Sequence, residues 1–546
     1  MFKDSKFYIK VLVVSSLILL LASITINIYL ERVIITKIND LLDNQEKTAY
    51  QLKIGSVSSS ILRNRFLIDN IDIHSIIDTT NLYEQKQLIN ISLNELKFEG
   101  INFASLIWDR SINIEEIVYD NLTITSTTTN LKEKTDSSKT PKGISYFKID
   151  NLNQINVNKM TFMNSVFNLE KSNSTNHSNV IFHTTPLNFQ VDDLSLKKAN
   201  DGKFYLKDIE VDFNLDKGSV LFDKQNYKLS FDNFHASVTD QLIKAKNITI
   251  YPTLSEKLLA DKFQYSQEIY HTSFDTLAIT DVDLSSFLIN KKFTSSSIDL
   301  SGFDVSIYKD KRKPQNKLKK IKLPISSLKQ LTFPISIDQV NIRNSKITVR
   351  EQIPHKDTIV QFYINRINAQ INNIKNYSNE NLNLNMSLQG QLMGNAPVHL
   401  KMENSLSKKD NNMFWEGYVG SFKFHTLDKV LYPILGLKIL SGELHKIDFK
   451  LESDDFQSKG EMTMLYKNLH ASILKSHKGS ENHLLSSITN GLIHKSNPNK
   501  RGKIKTVRMS FKRDEYKGLG NYLWKTIQSG IINTITPMRK RVRKLK

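Results

Sequence analysis

The chain predicts a mainly β fold behind one N-terminal transmembrane helix. The expected body is a long, twisted antiparallel β-sheet trough of two repeats, each about 180 residues, with a few C-terminal helices. Three observations predict this. An uncharged apolar run lies near the N-terminus. Beyond it, apolar and polar residues alternate with a period of two. A strand-like decamer, MTFMNSVFNL at 160–169, returns as VNIRNSKITV at 340–349.

The apolar run is Val11–Leu30, 20 residues with no charge, 14 of them Ala, Val, Ile or Leu. As a helix it is about 30 Å long, enough to cross a bilayer core. Val11, Leu17, Leu20, Ile26 and Leu30 mark this anchor. Lys3, Lys6 and Lys10 precede it against one acid, Asp4, so the N-terminus is expected in the cytoplasm. A cleaved signal peptide is the alternative, but the run is long for one and no small-x-small cleavage site follows. Ile34, Ile35, Ile38, Leu41 and Leu42 then share one helical face, to be laid on the domain or on the bilayer. Residues 1–44 form this anchoring segment.

From Tyr50 the period becomes two, as in INISLNELKF (90–99) and INIEEIVY (112–119), which marks strands with one dry and one wet face. The opening decamers extend into longer matches. Ile155, Val157 and Met160 correspond to Ile335, Ile337 and Val340. Leu187, Val191 and Leu194 correspond to Ile367, Ile371 and Ile374, all at offset 180. Upstream the offset is 181. Leu96, Phe98, Ile117, Tyr119, Leu122 and Ile124 meet Leu277, Ile279, Ile298, Leu300, Phe303 and Val305. A turn-prone pair, Asp120-Asn121 or Ser301-Gly302, interrupts both copies at one place. The slip falls between TSTTTNLKEKTDSSKTPKG (125–143) and KDKRKPQNKLKKIK (309–322), read as solvated loops. The organisation is therefore a first β repeat over 45–225, a second over 226–395 and a different region over 396–546. In that last region HLLSSITNGLIH (483–494) has helical spacing and KIKTVRMSFKR (503–513) alternates. Tyr516, Leu519, Leu523, Ile527 and Ile531 mark a closing helix, with Gly518 and Gly520 at its start.

Charge and motifs narrow the function. The net charge of +20 suits an anionic partner, and an anchor that places the bulk across the membrane argues for lipid rather than nucleic acid. There is no cysteine, so disulfides and thiol chemistry are excluded. There is no HExxH, GxSxG or phosphate-binding glycine loop, and His470, His477 and His483 lack a helical ligand spacing. Acidic neighbours such as Glu115-Glu116, Asp192-Asp193 and Asp454-Asp455 read as solvated charge, because adjacent strand residues face opposite ways. No catalytic residue, cofactor or metal site is expected, and the chain reads as a non-enzyme. The basic loop 309–322 and the tail 538–546, with six Lys or Arg in its nine residues, suit either solubility or anionic headgroups.

A sheet with one apolar face must pack it against a second sheet or leave it for something else. A long coiled array can hold acyl chains on that face, and such a site needs no catalytic group. The twelve paired positions from Leu96 to Val305 are its expected lining.

The chain resembles the AsmA-like proteins of bacterial envelopes, the group that includes TamB- and YhdP-type proteins. The resemblance rests on the anchor followed by YQLKIGSVSSSILRNRFLIDNIDIHS (50–75), on FPISIDQVNIRNSKITVRE (333–351), on LKILSGELHKIDFKLESDDFQSKGEMTMLYKNL (437–469) and on KRDEYKGLGNYLWKTIQSGI (512–531). It implies a β groove, a location in the inner membrane with the bulk in the periplasm, and phospholipids and envelope proteins as partners. The implied role is phospholipid traffic between inner and outer membranes, or else a lipid-free scaffold for outer-membrane assembly.

Overall fold

Alternating apolar and polar residues build strands, and strands dominate the computed structural model. It describes residues 50–60, 64–75, 87–102, 105, 108–129, 146–147, 152–173, 177–205, 210–354, 358–377, 382–406, 411–473 and 493–536. The expected anchor, the juxtamembrane helix, most of 483–494 and the basic tail lie outside them. Among the described residues no helix is long and apolar enough to cross a membrane. The chain divides into two compact units, residues 1–245 with 284–289, and 246–283 with 290–546.

The first unit contains β1 (Tyr50–Ser60), β2 (Arg65–Ser75), β3 (Gln87–Glu99), β4 (Ser111–Asp120), β5 (Thr123–Thr129), β6 (Tyr146–Phe147), β7 (Gln154–Asn173), β8 (His177–Thr184), β9 (Leu187–Lys197), β10 (Phe204–Tyr205), β11 (Glu210–Phe222) and β12 (Tyr227–Ser237). β1, β2 and β3 pair antiparallel in sequence order. β3 then pairs with both β4 and β5, two segments of one line broken at Asn121. Both run parallel to β7. β7 pairs antiparallel with β8 and β9, and β11 follows them and then β12. β6 and β10 form a separate short pair.

The boundary between units falls in β13 (Leu242–Pro252). In the second unit come α1 (Glu256–Lys262), β14 (Glu268–Thr280), α2 (Leu284–Asn290), β15 (Phe293–Ser301), β16 (Asp304–Asp310), α3 (Pro324–Lys329), β17 (Ile335–Gln352), β18 (Ile359–Lys375), β19 (Asn383–Leu392) and β20 (Ala396–Ser405). Most of α2 groups with the first unit. After β20 come β21 (Met413–Val419), β22 (Phe422–Lys423), a 3-10 turn, α4 (Asp428–Leu435), β23 (Leu437–Ser453), β24 (Gln457–Ile473), β25 (Thr506–Lys512) and α5 (Leu519–Ile535).

The pairings of β3, β4, β5, β7 and β9 recur in β14, β15, β16, β17 and β18. β14 pairs antiparallel with β15 and β16, both of these run parallel to β17, and β17 pairs antiparallel with β18. The register recurs residue by residue. Ile117 faces Phe98 and Met160, as Ile298 faces Ile279 and Val340. Met160 faces Val191, as Val340 faces Ile371. The strand breaks recur too: Asn121 and Gly302 both take positive φ, 54° and 66°. So does the kink inside the decamer. Asn164 and Asn344 have φ of 52° and 47°. Each backbone N–H donates to an asparagine on the next strand, Asn188 at 2.7 Å and Asn368 at 3.1 Å. The following Ser165 and Ser345 are buried. This is a β-bulge, and asparagine suits it because its side chain tolerates the left-handed region.

The sheet is mixed, which corrects the antiparallel expectation. β4 and β5 both run antiparallel to β3, so the chain leaves β5 at the wrong end to turn tightly into β7. A parallel neighbour needs a crossover of a dozen or more residues. Residues 311–334 make it in the second unit, so the stretch read there as a solvated loop belongs to a crossover. Thr125–Thr129, read as loop, is strand β5.

From β18 onward the pairing is antiparallel through β19, β20, β21, β23, β24 and β25. Here the main core forms. Met413, Trp415, Leu444, Met462, Met464, Tyr466, Met509 and Tyr522 are all at most 2% exposed. α5 lies on the sheet with Tyr522, Thr526, Gly530 and Thr534 buried, one residue per turn. The small residues let it come close.

The crossover 311–334 is anchored rather than solvated. Leu323 and Ile325 belong to the core. Asp455 accepts from Ser326 Oγ at 2.8 Å and Asn411 Nδ2 at 2.8 Å, and Arg513 Nη1 donates to the Asp455 carbonyl at 3.0 Å. A second guanidinium nitrogen of Arg513 donates to the Ile321 carbonyl. Asp455 is therefore a packed anchor, which corrects its reading as solvated charge. Six cations of 309–322 also have protein partners. Lys309 meets Glu268, Lys311 meets Glu351, Arg312 meets Asp310, and Lys320 meets Glu515. Lys313 donates to the last carbonyls of α1, and Lys322 to Gln330. These contacts occupy six cations of a loop whose charge was read as suiting either solubility or anionic headgroups.

Candidate functional site

In the first unit, strand alternation places Leu96 and Phe98 on the same face of β3 as Ile117 and Tyr119 on β4, and the register sets them side by side. Ile124 on β5 lies between Ile91 and Phe167. In the second unit, Leu277 faces Leu300, Ile279 faces Ile298, and Val305 faces Ile347. Phe303 stacks on Phe274 at 4.7 Å. The structure thus groups the expected lining residues into two equivalent sets, one per unit. Ile117, Leu122 and Val305 are buried, and the other nine are half-buried.

Each set belongs to longer rows that cross the strands. In the first unit one row runs Phe66, Phe98, Ile117, Met160, Val191 and Phe213. Beside it lies an aromatic row absent from the sequence reading apart from Tyr119. Tyr119 stacks on Phe162 at 4.3 Å and Phe162 on Phe189 at 4.2 Å. Phe213 lies 5.0 Å from Phe189, and Phe234 lies 5.7 Å from Phe213. Burial pushes the Tyr119 hydroxyl above its ordinary pKa, as apolar surroundings require. The signal was present as an aromatic beside a polar residue in TFM, NFQ, DFN and NFH, one per strand. It becomes visible only when the strands are aligned.

In the second unit a row runs Ile279, Ile298, Val340, Ile371, Met386 and Met402. It continues through Trp415, Leu451, Gly460 and Met509. Ile279, Ile298 and Ile371 are half-buried and Val340 is buried, whereas Trp415, Leu451 and Met509 are deep in the core.

The opposite face is polar and internally bonded. Thr161 Oγ1 donates to Glu116 at 2.6 Å, and this bond is the main reason the Glu116 carboxyl sits below its usual range. Asn156 Nδ2 donates to Asn113 at 2.7 Å, and Asn214 Nδ2 to Asp192 at 3.0 Å. A shallow depression on β20–β25 is lined by His399, Lys401, Glu416, Asp448, Lys450 and Glu461. Its Lys450 pairs with Glu416 at 2.5 Å, an exposed ion pair of ordinary kind. Among the described residues no group of acids and histidines is arranged to hold a metal. What the described residues offer is a set of apolar rows on one face of the sheet. No protein-family model and no curated protein matches the chain.

Proposed function

We propose that the chain is a membrane-anchored lipid-binding protein of the bacterial envelope. Acyl chains lie across the apolar rows of both units, in a trough formed by the twisted sheet, and no chemical step takes place. It acts from the inner membrane with its bulk in the periplasm. There it assists phospholipid movement between the two membranes and outer-membrane homeostasis. One observation carries the reading. Rows of side chains that are apolar on strand after strand are mostly half-buried over the N-terminal unit and the first strands of the second, with Ile117 and Val340 the buried members. Covering such a row with lipid gains about 0.8 kcal/mol per buried methylene. The AsmA-like sequence features support the same reading.

Native mass spectrometry with lipid extraction, on the full chain released from mild detergent, tests it. Several phospholipids per chain are expected. Replacing the half-buried Phe98 and Ile298 by Asp is expected to leave a folded protein without them, since a carboxylate on each row opposes acyl contact. A stable lipid-free wild-type monomer overturns the proposal in favour of the scaffold reading.

A further inference from the structure

The apolar rows of the second unit do not end where the lipid reading needs them. They run on without a polar interruption into the core, where the chain itself covers them. Resting on the lipid reading, we propose that the C-terminal core, closed by α3 and α5, is a built-in stopper. Lipid occupies the rows up to Met386, at the edge of the core on β19, and is excluded from the core beyond it.

Three observations carry this. First, the covered and uncovered stretches are one surface. Met386 on β19 leads by direct strand pairing to Met402, Trp415 and Leu451. Second, exposure falls along it. Met386 is half-buried, while Met413, Met462, Met464 and Met509 are at most 2% exposed. Third, α5 sits too close to admit an acyl chain. A Cβ on Gly530 would lie 2.7 Å from Met509 Cγ and 2.9 Å from Met462 Sδ. The helix is also fastened on several sides. Thr526 and Ser458 share a buried hydrogen bond of 2.6 Å. Ser510 N–H donates to Ser529 Oγ, and Asn533 Nδ2 to the Arg508 carbonyl, so α5 bonds the outer edge of β25. Lys505 Nζ donates to the carbonyls of Asn533, Thr534 and Thr536, holding the C-terminal turn.

The methionines provide a probe that requires no redesign of the core. The full chain is produced with photo-methionine in place of methionine, irradiated with its native lipid, and digested for peptide mass spectrometry. Lipid adducts are expected at Met160 and Met386 at least tenfold above those at Met413, Met462, Met464 and Met509. Adducts at Met462 or Met509 within twofold of Met386 overturn the stopper while leaving lipid binding intact. Absence of adducts at both Met160 and Met386 overturns the lipid reading and the stopper with it.

Discussion

The N-terminal unit and the C-terminal end of the second unit use one strand pattern for two outcomes. In both, apolar residues recur at every second position and align across neighbouring strands. In the first, Tyr119, Phe162 and Phe189 stack on one another as a half-buried row. In the second, Trp415, Met462 and Met509 lie in one continuous core to which α3 and α5 also contribute. Alternation therefore specifies which face is apolar, and a helix supplied from elsewhere in the chain decides whether that face is interior or surface.

The largest expected effects lie in the covered region. Asp455→Ala leaves the buried Arg513 guanidinium without its carboxylate neighbour and should cost about 3–5 kcal/mol. Trp415→Ala should cost about the same through lost packing and its bond to Ser453 Oγ. Calorimetry should place both losses in one transition, that of the second unit. Phe162→Ala should cost about 1–2 kcal/mol, because a half-buried ring loses less area and two stacking neighbours. If it matches Trp415→Ala, the N-terminal face is as tightly covered as the C-terminal one and the comparison breaks. Asn164→Ala and Asn344→Ala should each cost about 1–2 kcal/mol by denaturant titration, from the left-handed backbone alone. Unequal losses would show that the two bulges carry different strain. The smallest effect is a pH dependence in the second unit. Asp310 is held below its ordinary pKa first by the Arg312 hydrogen bond. Its contribution is present above the ordinary aspartate range and lost as pH falls through the lowered folded value. Asp310→Asn should lower that unit's stability at neutral pH, leave it unchanged at the acid end where the contribution is already lost, and so flatten the acid limb of the stability curve.

The recurrence was legible because the match between copies depends on spacing, and spacing fixes register. Ile117 and Ile298 were paired in the sequence 181 residues apart, and each faces the equivalent partners. The parallel pairing was not legible, since alternation carries no strand direction. α5 was located through Leu519, Leu523, Ile527 and Ile531, which flank the core. Its central stripe was missed because Thr526, Gly530 and Thr534 are polar or small and matter through closeness rather than hydrophobicity. Asp455 was misread for a related reason: its burial comes from Ser326, Asn411 and Arg513, which are distant in sequence. The positions read as lining fall at equivalent registers in the two units, but the aromatic row needs cross-strand alignment that a linear reading lacks.

The anchored crossover 311–334 also sets an order of events. Its helix α3 is held by Asp455, 129 residues downstream of Ser326, and Ile321 is held by Arg513, 192 residues downstream. Neither contact can form until almost the whole polypeptide has been synthesised. Long loops must close before those contacts contribute. The first unit can therefore settle while the chain is still emerging, whereas the second completes its folding only after its last strand and helix arrive.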